Sequence, residues 1–458
     1  MPEAMDTIRL SDVVSALSAA LDLTEGQPMG HAVRSCLLGM RIAEELRLPE
    51  SDRPDLYYAL LLKDAGCSTN SARMHQILGS DDLRAKREVK FEDWTKPSIS
   101  GLRYLLRNVL PGTSFARRLI KAVELGFEQN RNNAEVIGAR CERGAEIARK
   151  IGLTQASAEA IRSLDEHWSG AGYPEHRKGQ EISLLSRIMN VSQTLEVFAS
   201  TRDPAEAIRV IGTRSGTWFD PEIVRIVRLL ERDTKLWERF RSEDVREQVV
   251  HMEPGTAVRA TAERIDNICR AFAEVIDAKS PYTFTHSMGV AEAAVDISDG
   301  LGLEPQTTNM VRRAALLHDV GKLGVSSAIL EKPGKLNEQE WRAMKMHPVY
   351  TKVILEKIPG FKHLAQIAGA HHERLDGTGY PQGLTGEHLP LTARIICVAD
   401  MYQALSEKRP YREGLPAKVV FATLEQDGHK RLDPECLAAL RERRAEEAPK
   451  AMGAGAGA

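Results

Sequence analysis

The sequence predicts an all-α protein made of two tandem helical domains. Three observations predict it: apolar residues recur at helical spacing, the period-two alternation that marks strands is scarce, and the first half of the chain repeats the second. At 458 residues the chain can bury two separate hydrophobic cores.

The first domain is read over residues 1–231. From His31 to Asp64 it aligns with the second half without a gap at an offset of 255 residues, so His31 matches His286 and Lys63-Asp64 matches His318-Asp319. Farther on the offset is 207: Arg140 matches His347, Gly170 matches Gly377, Gly172-Tyr173-Pro174 matches Gly379-Tyr380-Pro381, and Arg187-Ile188 matches Arg394-Ile395. The two offsets differ by 48 residues, which places an insertion between Asp64 and Arg140. Its charged stretch from Asp81 to Glu92, followed by Pro97 and Pro111-Gly112, suits added helices and a loop on one edge.

Asp220-Pro221 starts a helix that turns charged through Glu231-Arg232-Asp233, and Met252-Glu253-Pro254-Gly255 breaks the pattern. Residues 232–256 are therefore expected to form a charged helical linker. Amphipathic spacing resumes near Val258, giving a second domain over residues 257–443. The tail, residues 444–458, ends in alternating glycine and alanine and is expected to be disordered.

The second domain carries seven potential metal ligands: His286, His318, Asp319, His347, His371, His372 and Asp400. No cysteine is among them, and a pool of imidazoles and carboxylates of this size suits two six-coordinate divalent ions better than a structural zinc. Helical spacing points them inward together. Leu364, Ile367 and Ala368 lead into His371-His372; Val290, Ala294 and Ile297 follow His286; Ile395-Ile396 lead to Ala399-Asp400 and Gln403. Gly321 breaks the chain right after His318-Asp319. The chemistry this set fits is metal-assisted hydrolysis.

Composition narrows the classes further. A net charge of −2 from 62 basic and 64 acidic residues argues against a broad basic field for a nucleic acid polymer. The six cysteines form no C-x-x-C pair, as expected of reduced thiols. Neither a leader pattern nor an apolar run of about 18 residues is present, so a cytoplasmic protein without membrane attachment is expected.

His318-Asp319-Val320-Gly321-Lys322, His347-Pro348, the long segment His371-His372-Glu373-Arg374-Leu375-Asp376-Gly377-Thr378-Gly379-Tyr380-Pro381, and Asp400 resemble the HD-GYP subgroup of HD-domain phosphohydrolases, over about residues 256–440. The resemblance implies an all-helical bacterial signalling enzyme that hydrolyses cyclic di-GMP to the linear dinucleotide or to GMP. It implies two divalent ions, iron or manganese. Resemblance and physical reasoning together give Asp319 as the bridge, with His286, His318 and Asp400 completing one metal site and His347, His371 and His372 the other. A water activated between the ions would be the nucleophile. Lys322 is expected to reach a phosphate oxygen whose charge grows in the transition state. Gly377, Gly379, Tyr380 and Pro381 are assigned by resemblance to the substrate-side loop, whose bare physical reading is a tight turn.

Arg409 and Arg412, in the arm Lys408-Arg409-Pro410-Tyr411-Arg412, are expected to contact substrate, because guanidinium forks suit phosphate or a guanine edge and the first half lacks this arm. Tyr282 stands where trinuclear members carry a glutamate, which favours two ions over three. Nothing in the metal motif reads the base, so another cyclic dinucleotide such as 3',3'-cyclic GMP-AMP, or a nucleotide, is the alternative substrate. A non-enzymatic alternative is an adaptor whose Gly-Tyr-Pro surface docks diguanylate cyclases bearing GGDEF domains. A homodimer is compatible with these readings.

The first half keeps the pattern but not the ligands. His318 becomes Lys63, His347 becomes Arg140, His371 becomes Leu164, His372 becomes Asp165 and Asp400 becomes Gln193, leaving His31 and Asp64. This degenerate site is expected to be non-catalytic and regulatory. Lys63 and Arg140 either stand in as counter-charges for Asp64 and Asp165 or bind a phosphate-bearing ligand.

Overall fold

The computed structural model describes residues 8–93, 99–280, 285–408, 413–428 and 430–453. Among them there is no strand, only three isolated bridges, Arg9 with Arg259, Ser215 with Phe219, and Asp376 with Thr385. The chain is all-α and separates into two compact units. One holds residues up to Asn267 with Ser326–Ala328; the other runs from Ile268 to Val325 and from Ile329 onward.

Within each unit the repeat shows at the level of single helices. His31–Glu45 corresponds to His286–Gly300 at the offset of 255, and Gln155–Arg162 to Lys362–Gly369 at the offset of 207. Leu184–Thr201 and Leu391–Ser406 start at equivalent residues. In both units the helix that opens on a histidine packs on this later helix through a buried apolar stripe: Val33, Leu37 and Ile188, Leu195 in the first; Val290, Ala294 and Ile395, Ala399 in the second. Burying such stripes stabilises each unit by about 25 cal/mol for each Å² of apolar surface removed from water.

The insertion in the first unit forms three short helices, Ser71–Leu78, Asp82–Val89 and Ile99–Asn108, and the start of the long helix Phe115–Lys150. They close over a small apolar cluster of Leu78, Ala85, Val109 and Leu125.

Residues 232–256, expected as a linker, carry the helices Thr234–Arg241 and Val245–His251, which pack on His31–Glu45 inside the first unit. Their charged surface conceals a narrow apolar stripe, with Leu236, Trp237, Phe240, Val245, Val249 and Val250 all buried. The indole N–H of Trp237 donates to the Leu230 carbonyl at 2.8 Å. The last helix, Pro434–Gly453, runs past residue 444, where the tail was expected to start. Asp220 caps its helix as expected, accepting from the Glu222 amide at 2.8 Å with Pro221 in the first turn.

Candidate active site

The seven ligand positions converge in the second unit, most of them at helix ends. His286 opens one helix and His347 another; His318-Asp319 follow the end of Pro305–Leu317; Asp400 sits inside Leu391–Ser406. His371 and His372 differ from expectation. The Lys362–Gly369 helix stops before them, and they lie in the turn beyond, where the imidazole of His371 reaches back to the Ala368 carbonyl at 2.6 Å.

Two ligand groups form around one carboxylate. His286, His318 and Asp400 lie close enough to share an ion, as do His347, His371 and His372, and Asp319 stands between them. Its Oδ2 is 3.2 Å from His318 Nε2 and 3.8 Å from His286 Nε2, while its Oδ1 is 3.4 Å from His347 Nε2 and 3.6 Å from His371 Nε2. Asp400 Oδ1 approaches His286 Nε2 at 3.2 Å, and its Oδ2 approaches His372 Nδ1 at 3.8 Å.

The outer nitrogens are held so that the inner ones point at the centre. Nδ1 of His318, His347 and His371 each lies 2.6 Å from the carbonyl three residues before it, Ala315, Met344 and Ala368. Nδ1 of His286 is 3.0 Å from Glu407, which also accepts from Gln403 at 2.8 Å. Such outer contacts fix the ring orientation that a metal ligand needs.

The donor set fits metal. His318 Nε2 and Asp319 Oδ1 are buried with no hydrogen-bond partner among the described residues, an arrangement that is costly unless a cation completes it. The charge states agree. Burial pushes the imidazole of His347 down to about 3 and that of His372 well below its usual value, helped by neighbouring histidines. Burial opposes ionisation of Asp319 and Asp400, but His318 with Lys322 on the one and His286 with His318 on the other hold both carboxyls well below the usual range. For His286 burial is outweighed by Asp400 and Glu407, which lift it to about 9, so a proton there must leave for a metal to bind.

Glycines set the close approaches. A β-carbon on Gly321 would overlap the His347 carbonyl oxygen, and one on Gly66 would overlap that of Arg140, so the repeat is preserved at atomic contact. Lys322, just past Gly321, donates to Asp319 Oδ2 at 2.5 Å. Gly377 has φ 74°, and a β-carbon on Gly379 would overlap Glu373. The Glu373 carboxylate accepts from the amides of Gln382 (2.6 Å) and Leu384 (2.9 Å), fixing the Gly-Tyr-Pro loop. Tyr380 thereby lies with its ring 4.8 Å from that of His372. Tyr282, Arg409 and Arg412 lie outside the described residues.

Sequence reasoning missed Glu407 and Asp277. The latter accepts from the Ser287 amide (3.1 Å) and hydroxyl (2.7 Å) and so anchors the helix that begins with His286. Asp22 does the same in the first unit, accepting from Gly30 and Ala32 at 2.7 and 2.9 Å, and its offset of 255 from Asp277 was the available signal.

The first unit fills the equivalent space with protein cations. Lys63 donates to Asp64 and lies 2.8 Å from His31 Nε2; Arg140 pairs with Asp165. The insertion adds Lys90, 3.0 Å from Glu25, and Lys86, which donates to the Cys67 carbonyl at 2.6 Å. Gln193 lines a neighbouring pocket with Arg140 and Asp165.

The HD-domain family matches residues 128–223 and 270–436, a part of each unit. The 3'3'-cGAMP-specific phosphodiesterase 3 of Vibrio cholerae is 43% identical over 442 residues, 96% of this chain and 96% of that one. A crystal structure of the cyclic GMP-AMP specific phosphodiesterase V-cGAP3 of V. cholerae aligns with TM-score 0.66 and 38% identity over 96% of this chain and 98% of that one. The cyclic di-GMP phosphodiesterase response regulator RpfG of Xanthomonas campestris is 34% identical over 45% of this chain and 56% of its own length. This chain belongs to the HD-domain family of metal-dependent phosphohydrolases. Within that family it is a phosphodiesterase of HD-GYP type with a degenerate copy in its first half.

Proposed function

We propose that this chain hydrolyses 3',3'-cyclic GMP-AMP to a linear dinucleotide. The observation that carries the choice of substrate is the end-to-end similarity to the V. cholerae 3'3'-cGAMP-specific enzyme, which spans both units. Relatives named for cyclic di-GMP, the substrate first expected, align over less than half of the chain.

Asp319 together with His286, His318, Asp400, His347, His371 and His372 would hold two divalent cations, iron or manganese by donor type. Such ions supply Lewis acidity and lower the pKa of a coordinated water. The chain's own residues do the rest. Lys322, half-buried beside Asp319, is placed to neutralise charge growing on the phosphoryl oxygens. Glu373 and the glycines hold Tyr380 against His372, so the phosphate-binding side is walled by a fixed aromatic ring. Burial of His286, His318, His347 and His371 shields these candidate ligands from bulk water.

The test is a side-by-side measurement of kcat/KM on anaerobically purified full-length protein with 3',3'-cyclic GMP-AMP, cyclic di-GMP and cyclic di-AMP. The mixed dinucleotide is expected to lead by roughly tenfold, the worth of one well-made polar contact. Preference for cyclic di-GMP would overturn the assignment while leaving the enzyme class intact.

A further inference from the structure

We infer that Trp341 and Lys345 form the platform on which a purine base of the substrate stacks, with guanine the base preferred there. The inference rests on the cyclic-dinucleotide reading above and adds to it a base-recognition site outside the metal motif.

Tryptophan is usually well covered, yet Trp341 is 43% exposed. It is also firmly placed. Its helix, Glu338–Met344, is closed by reciprocal bonds between Asn337 and Glu340, at 2.9 Å to the Glu340 amide and 2.7 Å back to the Asn337 amide. Lys332 adds a bond to Glu340 at 2.5 Å. A rigidly seated, open indole loses little freedom when a base settles on it.

Its neighbours join it to the reaction centre. The Trp341 ring meets Tyr380 edge to face at 5.8 Å between centroids, and Tyr380 in turn lies 4.8 Å from the His372 imidazole. Three rings thus step outward from a metal ligand to the surface. A phosphodiester held at the metal ligands would carry its flanking nucleoside in this direction, where an aromatic face can stack on any base.

Lys345 supplies the selectivity. Its ammonium lies 5.4 Å from the Trp341 centroid and 5.5 Å from that of Tyr380. An ammonium only donates, and guanine offers two acceptors on one edge, O6 and N7, where adenine pairs N7 with an amino donor.

The experiment compares full-length wild type, Trp341→Ala, Trp341→Phe and Lys345→Met on 3',3'-cyclic GMP-AMP, cyclic di-AMP and methyl p-nitrophenyl phosphate, a diester without bases. Trp341→Ala should lower kcat/KM on the dinucleotides by about ten- to a hundredfold, mostly through KM, and leave the simple diester unchanged. Trp341→Phe should restore most of the loss. Lys345→Met should narrow the preference for the guanine-containing dinucleotide over cyclic di-AMP. Equal loss on all three substrates would make Trp341 a structural support of Tyr380, and no loss on any would remove it from the site; either result overturns the proposal. Wild type that cleaves the simple diester but no cyclic dinucleotide would defeat the substrate reading alone. The platform then stands or falls on GMP binding followed by titration calorimetry, which Trp341→Ala must weaken.

Discussion

Single residues decide whether the centre can form. Asp319 faces four histidines with its two oxygens, so Asp319→Ala should abolish hydrolysis and strip bound metal together. Turnover within a few-fold of the parent would sink the binuclear assignment. Glu407 acts one step out, through His286 Nδ1, and Glu407→Gln should weaken metal affinity by about 10- to 100-fold while the fold survives, as a titration with a competing chelator would show. The convergence of the candidate ligand positions was legible because a long motif carries them. Glu407 was not, since a glutamate just past a helix end is indistinguishable from a solvated one until the chain is folded. Acid sensitivity also has a residue-level cause. His167, stacked on Trp218 at 4.1 Å, is held neutral by burial, its imidazole pushed down to about 3. The unfolded chain takes up a proton near pH 6.5 and the folded chain does not, so stability falls as pH drops from about 6.5 toward 3. His167→Phe keeps the stack and should flatten that fall in thermal melts; an unchanged slope would put the acid sensitivity elsewhere.

At the scale of elements, helices and repeat were readable and boundaries were less so. Apolar spacing identified the helices beginning at His286 and Leu391, because each buries a continuous stripe. It overran Lys362–Gly369, because His371 continues the spacing although the chain has already turned. It also misjudged residues 232–256, where net charge outweighed six buried apolar residues in two short helices. Trp237→Ala provides the check. Removing a buried indole and its hydrogen bond to Leu230 should cost about 3–5 kcal/mol, seen as a drop of several degrees in melting temperature by calorimetry. A loss below about 1 kcal/mol is what a linker would give, and it would contradict packing of this segment into the first unit.

Across the whole molecule, one fold appears twice, and the two copies differ in the groups that face the centre. The backbone framework persists in both: Asp22 and Asp277 anchor equivalent helices, Gly66 and Gly321 admit equivalent carbonyls, and Glu166 and Glu373 tie equivalent loops through paired amides. What changed is the charge inside. Glu25, Asp64 and Cys67 of the first unit do come close enough to form a ligand group, but ammonium groups already sit on both carboxylates, Lys63 on Asp64 and Lys90 on Glu25. Burial further pushes the Cys67 thiol well above its usual range, leaving it protonated and a poor ligand. A divalent ion entering there would meet fixed positive charge in a poorly screened interior, where like-charge repulsion is strong. The full-length protein should therefore hold two transition-metal ions per chain by plasma mass spectrometry. Cys67→Ser should leave that number at two, and Asp319→Ala should bring it close to zero. A wild-type count approaching four, or metal that survives Asp319→Ala and disappears only with Cys67→Ser, would show that the first unit has kept a metal site of its own.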